Sequence, residues 1–584
     1  MSTKIELTSK KNADLTQWEW LKGSKRRWEK AEPPVQEFYN KWRSSSGSAL
    51  SQEINIGRIP QFRNAPKQFI VRDSYKTMFD HIWERAFQQP DTGVVLTGQP
   101  GVGKTYFLWY ALIRFIKQGQ PVALFTGDTL FLFYGNHVRS PKKTTPIYFP
   151  IPKEATDTTE HKPILFVLID HDTSTSEPTP DLVYGEDIFP IQASPPNPQQ
   201  FRRWAKRRNA GIWGLPLWNE AELNIAFRLQ PKYPKFKTEL EGGLTSSTGS
   251  SSTNPGVLEA KETLEKWVDK KNRFLQDLEK DDSSTKTAEI GSEEDEIYEV
   301  DMTSIDGAIE VLIHAAVRDS GPVARDVFES IFYPTGVATN RASAIASVTY
   351  EHLAELSRSF SADQTFPNQT ISHRIIMVDP VTHSAPIPAY HRLHDEWKID
   401  YRSVQIAREM SQKLEKEKDD RLAYFFDLFR SSGQSSTLAS WILESIAHRT
   451  LRTDARQNLA LVPMQGDLTV DAPVLTVNFE EDKSSNERLP AGNRRQISFR
   501  GPGFANPTTN KYYVPERLNS PLFDSFLVDR QENKLVLWVF QMTISCLHHG
   551  SREGYQSIRR IIESLKNPAG HDGDEKVKME IWIC

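Results

Sequence analysis

Cysteine is nearly absent from this sequence: Cys546 and Cys584 are the only two in 584 residues. One pair cannot build a disulfide framework, and two thiols cannot fill a cysteine-rich zinc site; such usage suits a reducing compartment. Net charge is scarce as well. The chain has 72 Lys and Arg against 76 Asp and Glu, so its formal charge is −4. It has no global field to draw it onto nucleic acid, and any such contact must come from local patches. No apolar run reaches the ~18 residues of a membrane span. The polar opening, residues 1–17, lacks the apolar core of a signal peptide. These absences predict an intracellular chain with no membrane partner. At 584 residues it is too long for one core, so two to four domains are expected.

One stretch orders the rest. Residues 94–96 are apolar and predict a short buried strand. Gly98, Gln99, Pro100, Gly101, Val102, Gly103, Lys104 and Thr105 then match G-x-x-x-x-G-K-[ST], and a helix is expected from Tyr106 to Ile116. Strand, glycine loop and helix is the context this phosphate-binding motif requires. The glycines let backbone N–H groups wrap a phosphate, and the helix N-terminus adds its positive dipole end. In this motif the lysine, here Lys104, reaches the β- and γ-phosphates, and the hydroxyl, here Thr105, holds Mg²⁺. ATP and Mg²⁺ are the expected cofactors, since no guanine-reading Asn-Lys-x-Asp is present.

Residues 164–170 form an unbroken apolar run ending in Asp170. Such runs are strands buried on both faces. Asp170 would bind Mg²⁺ through water opposite Thr105. Asp172 stands two residues on and is the candidate to orient the attacking water; His171 fills the place where many ATPases carry Glu. Residues 188–194 read as a further strand, although Pro190 argues against a central one. They offer Gln192 and Ser194 as γ-phosphate sensors, with a loop-capping serine as the equal alternative. Residues 202–208 pack five cations into seven positions. An arginine finger, a nucleic-acid patch, a nuclear-import signal and a plain solvated helix all fit, the last being the safest. The Gly321-Pro322 turn opens a helix whose Arg325 is placed to reach phosphate from a lid; the alternative is a surface arginine.

Five regions follow. Residues 1–66 form a basic arm with Trp18, Trp20, Trp28 and Trp42, whose tryptophans either dock on the main body or contact nucleic acid; Pro33-Pro34 breaks any long helix there. Residues 67–240 are the nucleotide-binding core, with Ser74 capping a helix over residues 75–87. A flexible linker with a charged helix and an acidic tail spans 241–297. A helical lid and connector runs over 298–420. In the last region, 421–584, a helix over residues 437–448 carries Glu444. A strand over 522–528 carries Asp524, and a second strand over 535–543 ends in Gln541-Met542-Thr543. His548, His549 and an amphipathic helix over 555–565 follow.

Helix with Glu, hairpin with Asp, strand with polar residues two apart, then helix: this order resembles the PD-(D/E)xK restriction-endonuclease fold. There Glu444 and Asp524 would gather Mg²⁺. The acid-x-Lys positions hold Gln541 and Thr543, which removes a negative metal ligand and the cation that stabilises hydroxide; each such loss lowers rate by ~10² or more. Over most of residues 65–584 the chain is similar to the Crinkler-type and retrotransposon-hot-spot-type proteins in their fungal form. Residues 69–75, 96–105, 168–170, 321–325 and 540–543, with His548 and His549, carry the likeness. The resemblance implies an α/β multidomain protein: a P-loop NTPase of the AAA+/STAND kind, with a parallel sheet and helical lid, fused to a C-terminal restriction-endonuclease-like α/β domain. It implies ATP hydrolysis that positions or gates a nuclease-like domain on DNA, in the nucleus, as an effector, toxin or genome-conflict protein. The rival is a STAND-like signalling scaffold whose inert nuclease fold serves DNA or protein binding; the cytoplasm is the alternative location. ATP and DNA are the expected partners, with a second copy or another protein left open.

Overall fold

The computed structural model describes residues 28–45, 50–62, 65–141, 165–170, 177–185, 188–245, 254–280, 304–349, 351–352, 373–380, 397–414, 436–452, 494–499, 507–515, 523–531, 534–542, 552–566 and 578–583. Asp172, Thr543, His548, His549, Trp18 and Trp20 lie outside these residues. So do the cations before Trp28, the Gly/Ser/Thr tract at 246–253 and the acidic stretch after 280.

The first region starts with β1 (Trp28–Lys30) and α1 (Pro33–Ser44), continues through β2 (Glu53–Asn55), β3 (Gln68–Ile70) and α2 (Asp73–Gln88), and reaches β4 (Val94–Thr97) and α3 (Lys104–Lys117). Next come β5 (Val122–Thr126), β6 (Thr129–Tyr134), β7 (His137–Pro141), β8 (Leu165–Asp170), α4 (Pro180–Val183), β9 (Ile188–Ala193), α5 (Arg202–Arg207) and β10 (Gly211–Gly214). Eight of these strands form one sheet in the order β1-β7-β6-β5-β8-β9-β4-β10. The sheet is mixed, not parallel throughout. β5, β8, β9, β4 and β10 run parallel, while β5, β6, β7 and β1 pair antiparallel as a meander. Short turns after β5 and β6 leave no length for a helical crossover, so those strands must reverse.

Alternation along the strands fills two cores. In β8, Phe166 and Leu168 face the core under α1, α2 and α3, and Leu165, Val167 and Ile169 face the other. This is why the sequence shows an unbroken apolar run. β9 is a central strand despite Pro190. Its pairing with β4 begins only at Val94 opposite Ile191, so β4 makes no demand on a Pro190 N–H. Gly93 supplies the room: a Cβ there would meet Pro190 Cγ at 2.8 Å.

The arm's tryptophans that are described dock onto the body. Trp28 is buried in the sheet's second core, and Trp42 packs against the first. Pro33 starts α1 instead of ending a helix, as suits its first turn. α2 begins at Asp73 with Arg72 at its N-cap, so Ser74 lies inside the first turn and caps nothing. α5 buries Trp204 and Ala205, and Arg208 donates to the carbonyls of Thr92, Gly185 and Ile188 at 2.8–3.2 Å. The cationic run is therefore partly structural, not a solvated helix throughout.

A helical bundle follows: α6 (Glu220–Arg228), α7 (Tyr233–Thr245), α8 (Pro255–Lys280), α9 (Ile305–Ser320), α10 (Ala324–Phe332) and α11 (Pro334–Ser347). The segment expected to hang free as a linker contributes to its core instead. Val257, Ala260 and Leu264 of α8 are buried there. The amphipathic first half of α8 needs a partner, and α7, α9 and α10 provide it. β11 (Ile376–Pro380) and β12 (Trp397–Tyr401) pair antiparallel and pack with α12 (Val404–Leu414) and α13 (Ser436–Arg452).

The last unit has five strands, β13 (Arg495–Phe499), β14 (Lys511–Pro515), β15 (Ser525–Gln531), β16 (Lys534–Phe540) and β17 (Lys578–Ile583), with α14 (Arg552–Lys566) before β17. Its sheet order is β13-β14-β15-β16-β17. α14 covers one face through Ile558, Ile561 and Leu565, and α13 reaches the other through Leu451. The protein is thus an α/β multidomain chain.

Candidate functional site

β4, β9 and β8 are parallel neighbours, so their C-terminal ends share one edge of the sheet. The glycine loop leaves β4 at that edge. Gly98, Gly101 and Gly103 have φ of 124°, 92° and 99°, values only glycine adopts without strain. Gly103 has a second reason: a Cβ there would lie 2.1 Å from the Tyr75 hydroxyl. The loop ends where α3 begins with Lys104 and Thr105. Thr105 Oγ1 donates to Asp170 Oδ1 at 3.0 Å, reaching past β9 to the last residue of β8. Lys104 Nζ curls back over the loop and donates to the carbonyls of Gly98 at 2.8 Å and Gln99 at 3.1 Å.

A cavity of about 920 Å³ opens on this edge, and its lining includes Pro100, Gly103, Lys104, Thr105, Asp170, Ser194 and Arg325. Aromatic and apolar side chains line it as well, among them Phe69, Ile70, Trp218, Phe328 and Tyr333. Arg325, in the first turn of α10, thus faces the loop. Burial pushes the Lys104 ammonium down to about 7, and the nearby Arg325 pushes the same way; Asp170 opposes both. His373 is held near 4, first by burial and then by Lys104 and Arg402. Lys104 and Arg325 thus put two basic side chains in the cavity wall against one carboxylate, Asp170.

The other residues named from the motif divide. Tyr106 lines the cavity, 37% exposed, with its ring 5.9 Å from that of Phe69. Val102 is buried, a core residue on the loop's underside. The Gln99 side chain points elsewhere. Its Nε2 donates to the carbonyls of His373 at 2.6 Å and Ile376 at 3.1 Å, and its Oε1 accepts from the Val378 N–H at 3.3 Å. It fastens β11 to the loop and has no side-chain group left for a phosphate. Ser194 reaches the cavity wall, but its hydroxyl donates to Gln200. Gln192 is committed to the core, accepting from the Trp204 indole at 2.6 Å.

Sequence reasoning missed Arg72, Tyr75, Trp218, Glu222 and His373. Arg72 is 2% exposed, and its guanidinium donates to Glu222 at 3.0 Å and to the carbonyls of Val102, Pro216 and Leu217. An arginine directly after a buried strand was the available signal. Its partners lie some 30 to 150 positions away, which local pattern does not show.

At the C-terminal sheet, Asp524 stands just before β15, Glu444 lies on α13, and Gln541 directly follows β16. Burial raises the Asp524 carboxyl to about 6, and Glu444 adds to the rise. Asp524 accepts from the Met542 N–H at 2.5 Å. Glu444 contacts His448 at 3.3 Å, and His448 meets the Tyr512 hydroxyl at 2.7 Å, which donates to Ser525 at 2.6 Å. Glu444 and Asp524 therefore share one neighbourhood. Among the described residues, however, no three His, Cys, Asp or Glu side chains gather as a metal cluster. No described helix is long and apolar enough to cross a membrane.

No family model matches this chain. It is similar to two curated proteins of Phytophthora infestans, Crinkler effector protein 15 and Crinkler effector protein 16. Identity to each is 31% over 173 residues, covering 29% of this chain and 25% of the relative. The chain thus matches only about a quarter of the length of these relatives.

Proposed function

We propose that this chain binds and hydrolyses ATP with Mg²⁺ at the glycine loop and uses the nucleotide to control a C-terminal α/β unit that works on DNA. The carrying observation is the Thr105–Asp170 pair at 3.0 Å on the edge where the loop opens. A hydroxyl and a carboxylate so placed fit a magnesium ion's oxygen shell, while Lys104 and Arg325 supply the positive charge a triphosphate needs. Magnesium would neutralise developing charge on the phosphates; Lys104 and Arg325 would orient them. Asp172 remains the candidate for orienting water. The partial likeness to Crinkler effector proteins supports an effector-type role, and nuclear action on DNA is part of this reading.

The test is direct. Purified protein should turn over ATP only with Mg²⁺, and Lys104→Ala should abolish it. Wild-type protein with no affinity for Mg-ATP ends the proposal. For the C-terminal unit, binding is favoured over cutting, because one Asp524 oxygen is taken by the Met542 N–H and Gln541 brings no charge. Supercoiled DNA with Mg²⁺ or Mn²⁺ should be bound at low salt and nicked weakly or not at all. Strong nicking stopped by Asp524→Ala supports a working nuclease, and no DNA binding supports a signalling scaffold.

A further inference from the structure

Three successive carbonyls of the glycine loop are held from outside the loop. Gly101 O accepts from the Trp218 indole at 3.3 Å, Val102 O from Arg72 Nη1 at 3.0 Å, and Gly103 O from the Tyr75 hydroxyl at 3.0 Å. A trans peptide directs its C=O and the following N–H to opposite sides. Drawing these three oxygens one way therefore aims the N–H groups of Val102, Gly103 and Lys104 the other way. The Val102 N–H is used within the loop, donating to Gln99 O at 3.3 Å. The Gly103 and Lys104 N–H groups are left as the ones the arrangement orients.

The donors come from two elements that flank the loop without belonging to it. Arg72 and Tyr75 stand at the start of α2, and Trp218 lies between β10 and α6. They are also joined to each other. The Arg72 guanidinium stacks on the Trp218 ring at 4.4 Å, and Glu222, which closes the capping box of α6, holds its Nε. Trp218 has a further contact: its backbone N–H donates to Pro322 O at 3.3 Å, in the turn that leads into Arg325. One residue thus touches the loop with its indole and the approach to the lid arginine with its amide. The fit there is close, because a Cβ on Gly101 would meet Val323 Cγ1 at 2.7 Å and Arg325 Cβ at 3.5 Å.

We propose that Arg72 and Trp218 are positioning residues of this site. Arg72 fixes the peptide planes of the loop so that its N–H groups face the phosphates, and Trp218 registers Arg325 against that loop. The proposal rests on the reading of the loop as a phosphate site, and it makes a narrower claim: the pair acts on the phosphate chain, not on the base. Inorganic tripolyphosphate with Mg²⁺ is therefore the discriminating probe beside Mg-ATP.

Trp218→Phe keeps the ring under Arg72 and removes the indole donor. It should weaken Mg-ATP and tripolyphosphate binding by the same factor, about fivefold to tenfold, as fits one hydrogen bond. Arg72→Lys keeps the charge but loses the planar fork. It should lower kcat at least tenfold, with thermal melting followed alongside. The proposal is overturned if both variants bind tripolyphosphate as tightly as wild type, or if only ATP is weakened. Should Arg72→Lys fail to fold, Trp218→Phe decides alone. Wild-type protein that binds neither probe overturns the phosphate site itself, a result distinct from the others.

Discussion

Lys104 is a buried amine with Arg325 and Asp170 nearby, and its titration is open to measurement. Its pKa falls from the ordinary 10.5 to about 7, first through burial and then through Arg325. Between those values the unfolded chain keeps the proton and the folded chain releases it, so this group makes folding more favourable as pH rises through that window. A bound triphosphate reverses the effect by supplying negative charge. Mg-ATP binding at pH 8 should therefore take up close to one proton per site, read by calorimetry in buffers of different ionisation enthalpy. Uptake that is zero, or unchanged in Lys104→Met, refutes the idea. Asp524 shows the opposite sign. Its pKa rises from 3.8 to about 6, so its contribution is full below 3.8 and is lost as pH climbs through 6. Asp524→Asn should stabilise the C-terminal sheet at pH 7.5 by roughly 1–3 kcal/mol and flatten the pH profile between 4 and 6. The meeting of Thr105 with Asp170 was readable because a glycine loop and a wholly apolar run ending in a carboxylate each mark a strand end on one sheet edge. Gln99 was not: its partners, His373 and Ile376, lie 274 and 277 positions on, and only the folded chain shows that its amide is committed to β11.

At the scale of elements, apolar periodicity identified β4, β5, β6, β8 and α3, all of which fill a core on at least one face. It missed β10, whose four residues hold two glycines and one tryptophan. Strand propensity is low there, yet β10 pairs with β4 along its whole length. The glycines have a packing reason. A Cβ on Gly214 would come within 2.5 Å of the Trp397 ring and 2.9 Å of Pro380, so β11 and β12 seat on the bare backbone at the edge of the main sheet. Gly214→Ala should cost about 1–3 kcal/mol by overpacking. In a Trp397→Leu background the same change should cost much less, because the ring it strikes is gone. Denaturant melts of the two singles and the double make the cycle. Additive losses would mean the contact is not what holds β10 to β12. The Pro190 case follows the same logic: the proline rule concerns a missing N–H, and on the β4 side the ladder begins only at Ile191, while β8 already pairs through Pro190 on the other side.

Across the whole molecule, the glycine-loop edge and the C-terminal sheet are joined by packed elements. Gln99 holds β11; β11 pairs with β12; α13 packs on β12 through Ile442, with Trp441 6.4 Å from Tyr401. The same helix carries Leu451 into the core under Trp538 and Phe540, and His448 to Tyr512. A helix shared by two cores has no compositional signature, which is why the sequence alone suggested separable parts. A ligand that binds only the folded state stabilises it by about 2.7 kcal/mol at a hundred times its dissociation constant. If α13 makes the two units one cooperative block, Mg²⁺ with a non-hydrolysable ATP analogue should raise the melting of the C-terminal sheet together with that of the glycine-loop core. Hydrogen exchange of β15 and β16 reads the first, and exchange of α3 and β4 the second. Ile442→Ala, which hollows the contact between α13 and β12, should leave the shift in α3 and β4 and abolish the one in β15 and β16. A C-terminal sheet whose exchange ignores the nucleotide in the wild-type chain would show that α13 is a tether and not a coupling.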